Sequence, residues 1–304
     1  MPDLSVTFAG ITFKNPVVPA SGTWEPLDAP DTGLAMSELG AVVNKTIFKE
    51  PRAGNPPPRI WETASGMLNA IGIPSAGADD FIKKKLPKIR KHADKVIVSI
   101  AGYTADEFAW LAKKIEQTGM ADMIELNLSC PNIESHTSWS TDPALLAQAI
   151  VAVKKAVKLP VIAKLSPNVT DIAEMCLVSE SSGADALTLV NTFRGMAIDI
   201  KVKKPALGNI FGGLSGPAIK PLALYAVYTA YERVKIPIIG MGGIASWQDA
   251  LEFILAGATL VGIGMYTFVN PLCMRHVISG LSNYCSEQNI EKLSDCIGKA
   301  HPAT

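Results

Sequence analysis

The sequence predicts an α/β chain that folds as a (β/α)8 TIM barrel, and three observations support this fold class. Eight short apolar, β-branched runs recur along the 304 residues. Within each run the apolar residues are continuous, which is typical of parallel strands covered on both faces. Segments with helical periodicity separate the runs, and eight strand–helix units fit the roughly 250 residues of a closed barrel. We therefore expect a single domain over residues 1–304, with a doubly wound open sheet as the competing architecture.

The predicted strands begin with a short N-terminal β-hairpin. Residues 4–15 turn at Ala9-Gly10, between two short segments of alternating character. We expect this hairpin to close the bottom of the barrel. The barrel strands follow in chain order at residues 17–20, 41–45, 96–100, 123–128, 161–165, 186–190, 236–239 and 260–263.

Four helices are predicted from their first residues. Thr104 and Glu107 form a capping box, and the helix that they open stops at Gly119. Three further helix starts lie at residues 141–143, 170–171 and 246–249.

Two segments are too long for plain strand–helix connections. Residues 48–78 are rich in proline and glycine, and residues 193–216 form a second long excursion. Both follow barrel strands, so we expect long inserted loops on the C-terminal face, where barrel enzymes carry their sites.

Composition and charge exclude several classes of protein. With 48% hydrophobic residues the chain can bury a large core, and its net charge is zero. Neither sign forms a long run, which argues against nucleic-acid and membrane-surface binding. No signal-peptide pattern opens the sequence, and no stretch approaches the roughly 20 apolar residues of a membrane span. We expect a cytoplasmic protein that binds neither nucleic acid nor membrane.

The cysteines are scattered and form no CxxC pair. In a chain without a secretion signal such a set indicates reduced thiols. We expect no metal site and no iron–sulfur cluster, so a chain that moves electrons would need a relay elsewhere. The cysteines are Cys130, Cys176, Cys273, Cys285 and Cys296.

Polar side chains follow the predicted strands at their C-terminal ends. Each end could simply meet water, but a lysine within an apolar run is costly to desolvate. Lys45 and Lys164 both lie in such runs, which indicates that they serve a ligand. The set consists of Ser21, Lys45, Thr46, Ser99, Asn127, Lys164, Asn191 and Thr192.

Glycine-rich turns end the last two predicted strands, at residues 240–243 and 262–265. In barrels, the loops after strands 7 and 8 commonly bind phosphate through backbone amides. No GxGxxG motif follows the first strand, so a dinucleotide fold is not indicated. The pattern indicates a cofactor with one phosphate and its reactive end over the barrel centre, and flavin mononucleotide (FMN) fits this outline.

Cys130 lies in the run Asn127-Leu128-Ser129-Cys130-Pro131-Asn132, directly after an apolar strand. A free cysteine usually packs as a small hydrophobic residue, which is the alternative to a catalytic role. At the end of a barrel strand, however, a thiol flanked by two carboxamides suits the binding of a flat polar ring and the transfer of a proton. We predict that Cys130 is catalytic.

Several motifs together closely resemble dihydroorotate dehydrogenase. The likeness is to the class 1 enzymes, in particular the catalytic subunit of the class 1B type, and it runs from about residue 4 to residue 275. The segments 59–63 and 218–221 also look like class 1B. The motifs lie at residues 45–46, 66–72, 127–132, 191–192, 213–217 and 240–243.

This resemblance implies an FMN-dependent oxidation of (S)-dihydroorotate to orotate in pyrimidine (UMP) biosynthesis. By similarity, Cys130 is the general base that takes a proton from C5 while a hydride leaves C6 for the flavin N5. An unperturbed thiol has a pKa of about 8.5. Activity should therefore rise towards alkaline pH unless the pocket stabilises the thiolate.

The resemblance also implies two groups of binding residues. Lys45 steadies the substrate carboxylate, and Lys164 lies near the N1–C2=O edge of the flavin, where it stabilises the charge of the reduced ring. The substrate group is Lys45, Asn69, Ala70, Ile71, Gly72, Ile73, Asn127, Asn132, Asn191 and Thr192. The cofactor group is Ser21, Lys45, Thr46, Ser99, Asn127, Lys164, Val190, Gly216, Gly242, Gly243, Gly264 and Met265.

Three segments depart from the family pattern. Residues 133–139 contain no glycine where the family has a glycine-containing gating loop, and Met265-Tyr266 follows Gly264 in place of Thr-Ala. Ile73-Pro74-Ser75 also lacks the asparagine often found after this turn. These departures keep a second substrate class open, another dihydropyrimidine such as dihydrouracil. Lys45 discriminates between the two, because only dihydroorotate carries a carboxylate.

The class 1B likeness implies a partner. We expect a homodimer, or a heterotetramer with an FAD/[2Fe–2S] subunit that passes electrons to NAD. A class 1A homodimer that uses fumarate fits the motifs less well. A non-catalytic flavin carrier would have no use for Cys130 and four asparagines, and an RNA-modifying flavin barrel would need a basic surface.

Overall fold

Strands appear where the sequence carries short runs of Val, Ile and Leu. The computed structural model describes residues 2–28, 32–129 and 138–302. Within these residues the strands are β1 (Val6–Phe8), β2 (Ile11–Phe13), β3 (Val17–Pro19), β4 (Val42–Val43), β5 (Ile60–Thr63), β6 (Gly66–Asn69), β7 (Val96–Ile100), β8 (Met123–Asn127), β9 (Val161–Lys164), β10 (Ala186–Leu189), β11 (Phe193–Gly195), β12 (Ile198–Asp199), β13 (Lys204–Pro205), β14 (Gly212–Ser215), β15 (Ile238–Met241) and β16 (Leu260–Ile263).

The helices separate the strands in the order expected of a barrel. They are α1 (Ala78–Asp80), α2 (Leu86–His92), α3 (Ala105–Glu116), α4 (Pro143–Ala156), α5 (Ile172–Ser181), α6 (Lys220–Tyr231), α7 (Trp247–Leu255) and α8 (Cys273–Glu287). A π-helical segment, Phe81–Lys85, joins α1 to α2. Short 3-10 turns occupy Pro26–Asp28, Met36–Glu38, Trp139–Thr141, Pro217–Ile219, Met265–Phe268 and Leu293–Cys296. No helix in the described ranges is long and apolar enough to cross a bilayer.

Eight parallel strands form the central sheet, in the order β3-β16-β15-β10-β9-β8-β7-β4. Strands β3 and β4, at the two ends of this order, are joined by hydrogen bonds outside the strand ladder. The Gly40 N–H donates to the Val17 carbonyl at 2.9 Å, and the Ser21 hydroxyl donates to the Asn44 carbonyl at 2.8 Å. The predicted TIM barrel is confirmed.

Helix starts follow the capping residues that the sequence shows. The Thr104 side chain accepts from the Glu107 N–H at 3.1 Å, and the Glu107 carboxylate accepts from the Tyr103 N–H. Asp142 and Asp171 cap α4 and α5 in the same manner. Because these caps satisfy the first N–H groups of each helix, the helices begin where the strand–helix loops require.

The N-terminal hairpin β1–β2 closes the bottom of the barrel, as predicted. Phe8 and Phe13 are fully buried, with ring centroids 6.1 Å apart in an edge-to-face arrangement. They belong to an apolar cluster that includes inward-facing residues of the barrel strands, such as Val18, Ile97 and Met123. This cluster makes the lower barrel a packed core.

The two long insertions contain more regular structure than the sequence indicates. They pair as an antiparallel sheet in the order β11-β14-β6-β5, with a second hairpin, β12–β13. Strands β6 and β14 contain the runs Gly66-Met67-Leu68-Asn69 and Gly212-Gly213-Leu214-Ser215, whose glycines weaken a strand pattern. This insertion sheet sets Asn69 opposite Gly213 beside the barrel mouth.

Candidate active site

A cavity of about 600 Å³ opens at the C-terminal ends of the barrel strands. This is the volume of a small-molecule site. It brings together most of the predicted site residues, from the barrel and from the insertion sheet. The predicted residues that line it are Ser21, Lys45, Thr46, Asn69, Ala70, Ile71, Gly72, Ile73, Asn127, Lys164, Val190, Asn191, Thr192, Gly216, Gly242, Gly243, Gly264 and Met265.

Two predicted residues lie outside the described residues. They are Cys130 and Asn132, within the segment 130–137. Their neighbour Ser129 lines the cavity, and its hydroxyl donates to the Asn127 side-chain oxygen at 2.7 Å. The chain therefore enters the predicted catalytic segment from a position fixed at the barrel mouth.

Among the described residues, the charged side chains that line the cavity are all positive. Lys45, Arg52 and Lys164 line it, whereas no Asp or Glu within the described ranges does. None of the three cations makes an ion pair with a described residue. The buried acid Glu125 binds the Thr188 hydroxyl at 3.1 Å and does not reach the cavity. Such a wall favours an anionic ligand.

The charged form of Lys45 is unfavourable in this cavity. Burial, and then the positive charge of Lys164, hold the pKa of Lys45 below its ordinary value. Lys164 is only 5% exposed. Neither ammonium group has a hydrogen-bond partner within the part of the chain that the structure describes, so an anion in the cavity would relieve both.

A chain of hydroxyl groups runs along one side of the cavity, and its direction can be deduced. The Ser21 hydroxyl gives its proton to the Asn44 carbonyl, so Ser21 must accept from Thr46, 3.0 Å away. Thr46 must then accept from Ser99, at 2.9 Å. Thr46 also accepts from the Asn127 amide nitrogen at 3.1 Å. Because each hydroxyl has a single proton, the Thr46 and Ser21 hydroxyls have no donor left for a ligand.

Counting donors and acceptors in the same way fixes the orientation of the Asn127 side-chain amide. Its nitrogen donates to Thr46, and its oxygen accepts from the Ser129 hydroxyl and from the Asn191 side-chain nitrogen at 3.3 Å. Asn191 also donates to the Ser129 hydroxyl at 2.9 Å. Asn127 therefore has one free N–H for a ligand, whereas the Asn191 oxygen, which accepts from the Thr192 N–H at 2.8 Å, can accept a second hydrogen bond from a ligand.

Among the predicted site residues that the structure describes, Ser99 is the one that does not line the cavity. Its side chain is fully buried and lies behind Thr46. In a tilted barrel, the depth of an inward-facing residue depends on the stagger of the strands. Ser99 therefore supports Thr46 from below, and its direct contact with the cofactor stays a prediction.

The glycine turns after β15 and β16 present unpaired amide groups to the cavity. The N–H groups of Gly243, Gly264 and Met265 have no backbone partner among the described residues. Unpaired amides at such loops suit a phosphate group. Gly216, at the start of the turn before α6, has φ +98° and also lines the cavity. These groups fit the phosphate of a flavin mononucleotide.

Several lining residues were not predicted. Arg52 and Asn55 come from the proline- and glycine-rich segment 48–78, where no periodicity marks inward-facing side chains. Tyr103 and Phe211 also come from loops. The closest sequence signal was Arg52 itself, one of the cations Lys49, Arg52 and Arg59 among turn-forming residues.

Metal chemistry has no candidate site in the described residues, since no group of three or more His, Cys, Asp or Glu side chains there could hold a metal ion. The cysteines of this part are all free thiols, namely Cys176, Cys273, Cys285 and Cys296. Burial raises the pKa of Cys176 to about 12 and that of Cys273 to about 11. At neutral pH these two groups stay protonated, so they cannot serve as general bases.

Comparison with known proteins gives consistent results. The family model described as dihydroorotate dehydrogenase matches residues 3–284. A curated relative from Desulforudis audaxviator, named dihydroorotate dehydrogenase B (NAD(+)), catalytic subunit, is 46% identical over 298 residues, which are 98% of this chain and 97% of that protein. A relative of the same name from Alkaliphilus oremlandii is also 46% identical, over 98% of each chain.

A solved structure gives the same result at the level of the fold. It is a crystal structure of DHODH from Eimeria tenella in complex with ferulenol, with a TM-score of 0.82 and 26% sequence identity. The alignment covers 100% of this chain and 90% of that chain.

Proposed function

Because this chain belongs to the dihydroorotate dehydrogenase family, we propose that it oxidises (S)-dihydroorotate to orotate with FMN as its cofactor, in pyrimidine (UMP) biosynthesis. The observation that carries the proposal is the charge of the cavity wall, which has three cations and, among the described residues, no acid. A phosphate-bearing flavin and a carboxylate-bearing ring both suit such a wall. An uncharged ring such as dihydrouracil would leave Lys45 without a counter-ion.

The cofactor is held at two places. The amides of Gly243, Gly264 and Met265 bind the phosphate, and Lys164 binds the edge of the ring that becomes negative on reduction. Bound FMN supplies the hydride acceptor. The remaining cofactor residues are Ser21, Lys45, Thr46, Asn127, Val190, Gly216, Gly242 and, behind Thr46, Ser99.

The substrate would be held by its polar edges at the mouth of the cavity. Lys45 and the amides of the Gly72-Ile73 turn bind the carboxylate. Asn127 donates to a ring carbonyl, and Asn191 accepts from a ring N–H. The other substrate residues are Asn69, Ala70, Ile71, Asn132 and Thr192.

Cys130 is the general base of the proposed reaction. As a thiolate it takes the proton from C5 of the substrate, while the hydride leaves C6. The adjacent Ser129 is held on two sides, by Asn127 and by Asn191. This anchoring sets the start of the segment that carries Cys130.

We also propose that the chain works in an assembly. The relatives are named catalytic subunits of an NAD(+)-dependent enzyme, which supports a second subunit that carries FAD and a [2Fe–2S] cluster. For a homodimer, the hairpin β12–β13 supplies exposed apolar side chains, with Ile198 54%, Ile200 83% and Val202 60% exposed. The free thiols of the described residues support a reducing, cytoplasmic location.

The proposed reaction is tested by its reductive half. The purified flavoprotein is mixed anaerobically with dihydroorotate, and the flavin absorbance is followed. Fast bleaching is expected, and Cys130→Ser should slow it by a factor of about 100 or more, because positioned acid–base groups typically contribute 10²–10⁴-fold. Cys176→Ala is the control, since Cys176 is fully buried on α5. Bleaching by dihydrouracil but not by dihydroorotate would refute the proposed substrate.

A further inference from the structure

Arg52 is the cation of the cavity wall that no predicted role explains, and most of its hydrogen-bond donors are unused. Its guanidinium carbon lies 4.3 Å from the ring centroid of Phe48 and 5.0 Å from that of Tyr103. Its Nη2 donates to the Gly72 carbonyl at 3.2 Å. The buried Nε and Nη1 atoms have no hydrogen-bond partner among the described residues. Two buried, unpaired donors on a guanidinium that has no counter-ion among the described residues are costly, which indicates that Arg52 serves a ligand.

The Gly72-Ile73 turn, to which Arg52 is bound, is itself strained. Gly72 has φ +73° and Ile73 has φ +47°. A β-branched residue rarely adopts a positive φ, and such strain persists only where surrounding contacts enforce it. The N–H groups of both residues lack a backbone partner within the described ranges. Successive free N–H groups in a turn of this kind form a concavity that suits an anion.

The contacts that enforce the turn come from the segment of Arg52. The Arg52 N–H donates to the Ser75 carbonyl at 2.7 Å, and the Ser75 N–H donates back at 3.0 Å. The Asn55 N–H donates to the Ile71 carbonyl at 3.1 Å, and the Asn55 side chain donates to the Ala70 carbonyl at 3.1 Å. The segment 52–55 therefore clamps both sides of the turn, and Arg52 is the charged member of this clamp.

We propose that Arg52 determines the selectivity of the site for a carboxylate-bearing ring over its uncharged counterpart. It does so by holding the Gly72-Ile73 turn, so that the free amides face the ligand, and by adding an uncompensated positive charge beside that turn. Lys45 and the amides contact the carboxylate, whereas Arg52 acts through the turn as a positioning residue. The inference rests on the proposed function and assigns the substrate selectivity of the site to Arg52.

Arg59 offers a matched comparison within the same segment. Its Nε donates to the Asn55 carbonyl at 2.6 Å, and its Nη2 donates to the Ala53 carbonyl at 3.1 Å. It does not line the cavity. If Arg52 only stabilised the segment, Arg52→Gln and Arg59→Gln would weaken the binding of all ligands to a similar degree.

The experiment titrates the oxidised flavoprotein with orotate and with orotate methyl ester, which lacks the charge. Binding is read from the flavin spectrum. In Arg52→Gln the Kd for orotate should rise about 10- to 100-fold, and the Kd for the ester less than about 3-fold. Steady-state KM for dihydroorotate should rise with little change in kcat, because the reacting atoms are untouched. Arg59→Gln should keep the wild-type ratio of the two Kd values.

A conservative variant separates charge from position. Arg52→Lys keeps the charge but loses the planar contact with Gly72, so both ligands should bind more weakly while the preference for orotate stays within about 3-fold of wild type. This variant also decides the question if Arg52→Gln does not retain FMN. Equal loss of affinity for orotate and ester in Arg52→Gln, or loss of the preference for orotate in Arg52→Lys, would overturn the inference. Wild-type protein that binds no orotate would instead refute the proposed function, and the inference with it.

Discussion

Replacing Gly216 by alanine should disrupt the flavin site through the backbone. Gly216 has φ +98° and ψ −174°, a region that is essentially restricted to glycine. It lines the cavity at the start of the turn that leads into α6. The substitution adds one methyl group and removes no polar contact, so its effect reports geometry alone.

The magnitude follows from two terms. The backbone conformation costs alanine about 1–3 kcal/mol. The new Cβ would lie 2.3 Å from the Met265 terminal carbon and 2.7 Å from the Gly66 Cα. The methionine tip can swing away, but the Gly66 backbone cannot, and such overpacking typically costs a further ~1–3 kcal/mol. The sum of about 2–6 kcal/mol must appear as lost stability, or as a displaced turn that binds FMN poorly.

Two measurements distinguish these outcomes, namely thermal unfolding of the FMN-free protein and titration with FMN, followed by flavin fluorescence. At about 2–4 °C per kcal/mol for a chain of this size class, Tm should fall by ~4–24 °C, or the Kd for FMN should rise at least about 10-fold. Gly119→Ala is the control, because Gly119 has φ +64° with no atom within 4 Å of an added Cβ. It should cost only the ~1–2 kcal/mol of a left-handed residue. A Gly216→Ala protein no worse than this control in both measurements would refute the reasoning.

Three further predictions concern single side chains. Lys45→Met should raise KM for dihydroorotate about 10- to 100-fold. Burial lowers the pKa of Lys45 from 10.5, so the ligand-free wild type should gain stability as pH rises from that lowered pKa towards 10.5. Melting curves of the variant should lack this gain. Thr46→Val leaves the Asn127 amide without its acceptor, so orotate affinity measured by flavin titration should fall about 10-fold, and more than in Ser99→Ala. Glu38→Gln should reduce the free energy of urea unfolding by at most about 1 kcal/mol, since its 2.6 Å ion pair with Arg275 is partly exposed; a larger loss would show that this pair is coupled to the core.

The barrel could be predicted because its strands bury both faces. Runs such as Val96–Ile100 and Met123–Asn127 are buried at every position, so a continuous apolar run in the sequence maps directly to a strand. The seventh barrel strand is shifted from the predicted 236–239 to Ile238–Met241, and proline at position 237 explains the late start because it has no N–H for the ladder. The insertion sheet was missed because its strands are short and rich in glycine.

The residues of the candidate site also differ in whether the sequence predicts them. Lys164 and Asn127 could be predicted, since each is a polar residue at the end of an apolar strand. Arg52 and Asn55 could not, because their place at the cavity depends on the insertion sheet. Ser99 marks a third limit: its inward direction follows from strand alternation, but its depth below Thr46 depends on the barrel stagger.

The hydrogen-bond order at the barrel mouth restricts the ring that the site can accept. Because Thr46 must accept from Asn127, the free group of Asn127 is an N–H. The Asn191 oxygen accepts once, from the Thr192 N–H at 2.8 Å, and can accept a second hydrogen bond. A ring that uses both groups presents a carbonyl to Asn127 and an N–H to Asn191. Dihydrouracil and dihydroorotate share that alternation, so these asparagines cannot separate them. The charged end of the cavity, with Lys45 and the turn that Arg52 holds, must therefore discriminate between the two rings. Variants there should change the choice of substrate, whereas variants of the asparagines should change only the affinity for the substrate.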